Sequence, residues 1–358
     1  MILYALYFLY GSKKESMKYL ITIIAALFLT VSCNTKKADS GKNGVYKTTG
    51  SIERIDPALD SILSADAKVE IIADSLEWSE GPLWLEDQQM LLFSDVPMNT
   101  IYKWTEEKGK EIYLKPSGYT GFEPSDCKEP GSNGLLLDNT GRLVLCQHGD
   151  RRVARMDAAL DQPEAKFITL ADKYEGKRFS SPNDAVFSTT GDLFFTDPPY
   201  GLKTQDDTDP KKETRYNGVY RVNTDGDVSL IADSITRPNG IGLFPGEQKL
   251  LVASSDPVKP NWYLFDVGPD DTIIAPKIFY SAAGYDTALN GLPDGLKIDK
   301  NGTVFATGPG GIWIFNKEAK LLGKIRLDNA ASNCALSADQ KTLYITNDMF
   351  VLRVKMRN

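Results

Sequence analysis

Ser181-Pro182-Asn183-Asp184 leads into a short apolar stretch, a turn at Thr190-Gly191, and then Leu193-Phe194-Phe195-Thr196-Asp197. The same scheme occurs six times: a polar residue with Gly or its stand-in, a strand, a turn, and a second strand closing near Asp or Asn. Glu80-Gly81-Pro82-Leu83-Trp84 runs into Leu91-Leu92-Phe93-Ser94-Asp95, and Asn133-Gly134-Leu135 into Leu143-Val144-Leu145-Cys146-Gln147-His148. Pro238-Asn239-Gly240 runs into Leu250-Leu251-Val252-Ala253-Ser254, and Pro293-Asp294-Gly295 into Val304-Phe305-Ala306-Thr307. Ser332-Asn333-Cys334 runs into Leu343-Tyr344-Ile345-Thr346-Asn347. Asn139-Thr140-Gly141 and Asn301-Gly302 supply further hairpin turns. Alternating segments such as 218–222 and 228–231 add two more strands to most units. Six units of four strands specify an all-β, six-bladed β-propeller spanning residues 66–358.

The last unit tests this reading. After Asn333 the chain holds three strands, ending at Val351-Leu352-Arg353-Val354. Val69-Glu70-Ile71-Ile72 alternates and precedes the first complete unit, so the last blade is predicted to be closed by this N-terminal strand. Such closure covers edges that would otherwise be open to pairing.

The flanking sequence reads as an address. Lys18, the apolar run 19–31 and Ser32-Cys33 form a secretory signal over residues 1–32, too short to span a bilayer, with Met17 the expected true start. Cys33 after a small residue resembles a lipobox, so lipid on Cys33 is expected to hold an exported lipoprotein at a membrane, periplasmic or cell-surface. Residues 33–65 read as a flexible tether.

Composition narrows the function. The 358 residues are 42% hydrophobic and 25% charged, with a formal charge of −7, which argues against nucleic acid as a partner. The single histidine, His148, excludes three-His and His-Glu-x-x-His metal sites. Serine-hydrolase chemistry lacks its Gly-x-Ser-x-Gly elbow. Cys127, Cys146 and Cys334 match no zinc spacing and are expected to be buried thiols.

Antiparallel blade topology sends the start of each first strand and the end of each second strand to one end of the channel. Glu80, Asn133, Asn183, Asn239, Asp294 and Asn333 should therefore ring one mouth, with Asp95, His148, Asp197 and Asn347 close by. Carboxylates and amide carbonyls in a ring make a hard-oxygen site for one divalent metal, suited to Ca²⁺ first, with Mg²⁺, Mn²⁺ or Zn²⁺ as alternatives. The competing reading is that these Asn and Asp residues only cap the turns that open each strand.

These motifs, with Phe195-Thr196-Asp197-Pro198-Pro199-Tyr200-Gly201 and Arg237-Pro238-Asn239-Gly240, resemble the senescence-marker-protein/gluconolactonase/luciferin-regenerating family of six-bladed propellers. The resemblance covers nearly all of residues 66–358, and residues 149–153 resemble its bacterial gluconolactonase branch. It implies that Glu80, Asn239 and Asp294 hold a divalent metal, with Asn183 a further ligand or a substrate contact. It also implies a metal-dependent lactonase acting on a small-molecule lactone, such as gluconolactone.

Within that frame Asp294 is the first candidate for the base that activates water and Glu80 the second. Asn133 and Asn183 are the expected amide donors to substrate, and His148 is read either as a proton shuttle or substrate donor or as a structural residue. Tyr200 is expected as a pocket wall and Arg178 as a grip on the sugar, while the charged stretch 201–216 reads as a solvated loop. The alternatives are a non-catalytic sugar- or protein-binding propeller lipoprotein, a strictosidine-synthase-like propeller without the full metal set, and a paraoxonase-type esterase.

Overall fold

Short strands with one face of β-branched and aromatic residues need partners on both sides, and a ring of sheets supplies them. A computed structural model describes residues 46–268 and 273–357. Blade 1 comprises Ser79–Leu85, Met90–Asp95, Thr100–Thr105 and Gly109–Leu114. Blade 2 comprises Ser132–Leu137, Leu143–Gln147, Arg152–Met156 and Phe167–Ala171. Blade 3 comprises Ala185–Phe187, Leu193–Asp197, Gly218–Val222 and Val228–Ala232. Blade 4 comprises Pro238–Leu243, Lys249–Ser254, Asn261–Val267 and Ile273–Ser281. Blade 5 begins with Leu296–Ile298, Val304–Gly308, Gly311–Phe315 and Leu321–Arg326. Blade 6 begins with Ala331–Leu336, Thr342–Asn347 and Phe350–Lys355. The first strand of each blade packs against that of the next, and Ala331–Leu336 against Ser79–Leu85, which closes the ring.

The predicted closure is present. Val69–Ala73 pairs antiparallel with Phe350–Lys355, with Glu70 opposite Arg353. The Arg353 side chain, 7% exposed, is ion-paired to Glu70 at 2.7 Å and to Glu106 of blade 1, so one guanidinium ties the closing strand to the first blade.

The tether is corrected in part. Residues 1–45, including the leader and Cys33, lie outside the described residues. From residue 46 onward the chain belongs to the propeller. Thr48–Thr49 pairs with Val69–Ala73, and Ser51–Arg54 with Leu321–Arg326, giving blades 6 and 5 a fifth strand each. Pro57–Ser61 forms a 3₁₀ turn capped by Asp56, and Leu59 and Leu63 pack fully buried against Ile325 and Val354. An outermost strand needs only one apolar face, so a polar run such as Thr48-Thr49-Gly50-Ser51 reads as linker.

The core lies between blades. Trp262, Trp313 and Phe315 cluster between blades 4 and 5, and Phe179, Phe195 and Tyr220 lie on the blade 3 side, all fully buried. Cys127, Cys146 and Cys334 are all free thiols; Cys146 and Cys334 are buried as expected, while Cys127 is only half-buried, in the loop before blade 2.

Candidate active site

The residues that open the first strands are set by backbone contacts between blades. Gly134 N–H donates to the Asn183 carbonyl at 2.8 Å, Gly240 N–H to the Asp294 carbonyl at 3.1 Å, and Gly295 N–H to the Ser332 carbonyl at 2.7 Å. A Cβ on Gly81 would stand 2.0 Å from the Asn133 carbonyl oxygen, and one on Gly240 would stand 2.2 Å from that of Asp294. Only glycine allows this approach, which accounts for Gly after Glu80 and Asn239. Second-strand hydroxyls add ties to the next blade: Ser94 Oγ donates to the Asn133 carbonyl at 3.0 Å, and Thr196 Oγ1 to that of Asn239 at 2.7 Å.

Residues at the second-strand ends brace the loops that feed these strands. Asp95 accepts from the Glu77 and Trp78 amides at 3.3 Å, and Asp197 from the Ser180 and Ser181 amides at 2.8 and 2.7 Å. Asn347 Nδ2 donates to the Asn329 carbonyl at 2.8 Å. These three therefore brace the segments that carry Glu80, Asn183 and Asn333.

The strand-opening side chains are not spent in the same way. Glu80, Asn133, Asn183 and Asn239 are each at most 3% exposed. The buried oxygens Asn133 Oδ1, Asn239 Oδ1 and Asp294 Oδ1 have no hydrogen-bond partner. A buried polar group left unpaired costs about 1–3 kcal/mol, so three orphans from three blades beside a buried carboxylate argue against turn capping and for a missing partner. Burial, with added repulsion from Asp184 and Glu129, pushes the Glu80 carboxyl up to about 8. Asp294 is raised well above the carboxylate range by burial and then by the Glu80 charge. Negative groups from blades 1, 2, 3 and 5 thus share one field, and the donor set is of a kind that fits a cation. Among the described residues no three His, Cys, Asp or Glu side chains form a metal cluster. The set is two carboxylates with amide oxygens, which fits a hard ion with water completing its shell better than Zn²⁺.

Asn239 is aimed by a neighbour that the sequence reading missed. Its Nδ2 donates to Ser255 Oγ at 3.2 Å, and Ser255 Oγ shares a hydrogen bond of 2.7 Å with the Tyr200 hydroxyl. Burial raises the Tyr200 phenol to about 12, so it stays neutral. Tyr200 is therefore joined to Asn239 through Ser255. The signal for Ser255 was its place, directly after the second strand of blade 4.

Asn333 takes a different part. Its Oδ1 accepts from the Cys334 amide at 2.8 Å, and its Nδ2 lies 3.4 Å from Asp184 Oδ2. His148 is completely buried, both ring nitrogens lack partners, and burial lowers its pKa to about 3, so it is neutral near pH 7. Arg178 is exposed, on the hairpin Lys173–Tyr174/Lys177–Arg178, and its Nη2 donates to the Asp150 carbonyl at 2.7 Å. That contact holds two loops together.

The stretch 201–216 is knit into the fold, contrary to the solvated-loop expectation. Leu202 and Asp209 are buried, Lys211 Nζ meets Asp126 at 2.8 Å, and Gln205 Nε2 donates to Glu129 Oε1 at 2.8 Å. It clasps the loop before blade 2. Glu129, which the sequence reading passed over, is brought by that clasp beside His148.

Comparison with known proteins follows this geometry. A family model described as SMP-30/Gluconolactonase/LRE-like region matches residues 78–348. A gluconolactonase of Zymomonas mobilis subsp. mobilis is 38% identical over 352 residues, covering 97% of this chain and 98% of that protein. The solved structure of a gluconolactonase from Xanthomonas campestris superposes with a TM-score of 0.74 at 29% identity, over 87% of this chain and 97% of the other. Regucalcin of Agrobacterium tumefaciens, described as a calcium-binding protein, shares the fold at 14% identity and a TM-score of 0.61, over 80% and 94% of the two chains.

Proposed function

We infer the activity from a plain premise: this chain belongs to the SMP-30/gluconolactonase/LRE-like family, and it is a lactonase that hydrolyses sugar lactones. Its dependence on one divalent cation is our reading of the site. That reading rests on the three partnerless buried oxygens beside Glu80, at Asn133, Asn239 and Asp294.

Glu80, Asn239, Asp294 and Asn183 would hold the ion, Ca²⁺ first. When bound it supplies Lewis acidity, polarising the lactone carbonyl and lowering the pKa of water. Asp294 takes the proton of the attacking water, as a carboxylate that can both hold the ion through one oxygen and accept a proton on the other. The amides of Asn133 and Asn183 donate to the substrate, most strongly as the carbonyl oxygen gains charge. Tyr200, held by Ser255, walls the sugar and keeps Asn239 in place. His148, buried and neutral, serves as packing behind these groups. Lys18 to Cys33 supports the further proposal that the protein is exported and anchored by lipid.

A pH-indicator assay on sugar and aliphatic lactones, with chelated protein and Ca²⁺, Mg²⁺, Mn²⁺ or Zn²⁺ added back, tests the reading. Turnover restored by an oxygen-preferring ion is expected. Failure on every lactone with every ion would return the chain to the binding-module alternative.

A further inference from the structure

Glu129 ends the loop that feeds the first strand of blade 2, and its side chain is 21% exposed. Its Oε1 accepts Gln205 Nε2 at 2.8 Å, and its Oε2 lies 3.7 Å from Nδ1 of His148, an imidazole without hydrogen-bond partners. His148 in turn lies against Gly201, where an added Cβ would stand 2.5 Å from the histidine Cβ, directly after Tyr200, and the Glu129 charge adds to those of Glu80 and Asp294 although it belongs to none of the strand-opening positions.

The geometry points to Glu129 as the general acid of lactone opening, a carboxyl held by Gln205 with its second oxygen free to give a proton to the ring oxygen. This role rests on the lactonase reading above. A ring alkoxide is a poor leaving group, and a positioned acid contributes about 10²–10⁴-fold to such a step. Among the described side chains Lys128 is the cation that lowers the Glu129 carboxyl, and it does so less than the Gln205 amide. His148 beside it and Tyr200 are neutral, and the Glu80 and Asp294 charges that Glu129 repels would be balanced by the ion proposed to bind between them. Burial lifts the carboxyl to about 7, which leaves a protonated fraction near neutral pH.

The step balances. Water loses a proton to Asp294 as its oxygen bonds to the carbonyl carbon. The acyl C–O bond then breaks, and its electron pair on the ring oxygen takes the proton of Glu129 to give the open-chain hydroxyl. Solvent returns a proton to Glu129 and receives the one held by Asp294, and the product acid ionises.

The test is kcat against pH on glucono-1,5-lactone, net of uncatalysed opening, for the Ca²⁺-loaded wild type, Glu129→Gln and Gln205→Asn. Glu129→Gln should remain folded, should lose about 10²-fold or more in kcat at saturating Ca²⁺, and should lack the alkaline limb of the wild-type profile. Gln205→Asn withdraws the N–H that favours the charged carboxylate, so its alkaline limb should move to higher pH. Asn suits the left-handed backbone at this position, where φ is 60°. Near-wild-type turnover in Glu129→Gln, or an unmoved limb in Gln205→Asn, would overturn the role. If Glu129→Gln fails to fold, Gln205→Asn decides alone. A wild-type chain inert on lactones would overturn the lactonase reading itself, which is a different result.

Discussion

Lys297 carries its ammonium to 3.8 Å from the Asp184 carboxylate and 3.4 Å from Asn333 Oδ1, farther along the blade 5 strand than Asp294. Asp184 is 4% exposed in its side chain and Lys297 33%. The protein thus keeps a cation of its own in the channel, set against one of the carboxylates that raise Glu80 and Asp294.

Lys297→Met should destabilise by about 1–3 kcal/mol, below the 3–5 kcal/mol of a fully buried pair because Lys297 is part-exposed. Asp184→Asn in the same chain should recover most of that loss. A double-mutant cycle by urea unfolding measures it, and a loss that persists in the double variant would mean that the pair is not the cause.

Asp294→Asn retains the shape of the side chain and removes its charge and basicity. We expect a normal unfolding midpoint and a fall in lactone turnover of about 10²-fold or more. Near-full turnover with the cation bound would exclude Asp294 as the base.

Stability of the chelated protein should vary with pH in a sense set by burial. Glu80 rises from an ordinary 4.5 to about 8, and Glu129 from 4.5 to about 7. A raised carboxyl contributes stability that is fully present below its unfolded pKa and is lost as pH rises through the folded value. His148, lowered from 6.5 to about 3, acts on the other side: its contribution is present above 6.5 and lost as pH falls toward 3. The thermal midpoint of chelated protein should therefore decline from about pH 6.5 to pH 8.5, and Ca²⁺ should restore more at pH 8.5 than at pH 6.5. A flat profile, or a larger Ca²⁺ effect at the lower pH, would contradict the coupling.

Gly240→Ala would press a methyl group toward the Asp294 carbonyl, 2.2 Å away in the present backbone. We expect destabilisation of about 1–3 kcal/mol and weaker cation binding, read by calorimetric titration. Unchanged affinity would show that the Gly240–Asp294 contact does not set the ligand.

Repetition made the propeller legible, because each blade writes its opening residue, hairpin turn and paired strands in the same order. The closing strand at Val69–Ala73 was legible for the same reason, as the piece the last blade lacked. The outer strands Thr48–Thr49 and Ser51–Arg54 were not, since an edge strand can be polar and match no repeat. Among the site residues, Glu80, Asn239 and Asp294 sit at repeat positions and could be read in register. Ser255, Glu129 and Gln205 lie in loops, where spacing along the chain carries no information about what meets what.

The central claim is that Glu80, Asn239 and Asp294, with Asn183, close on one divalent ion. An anomalous difference map from crystals of this protein grown with Mn²⁺ tests it most directly. One strong peak within coordinating distance of the Glu80 and Asp294 carboxylates and the Asn239 amide oxygen is the predicted result. A map without a peak there, or with the ion bound elsewhere, would contradict it.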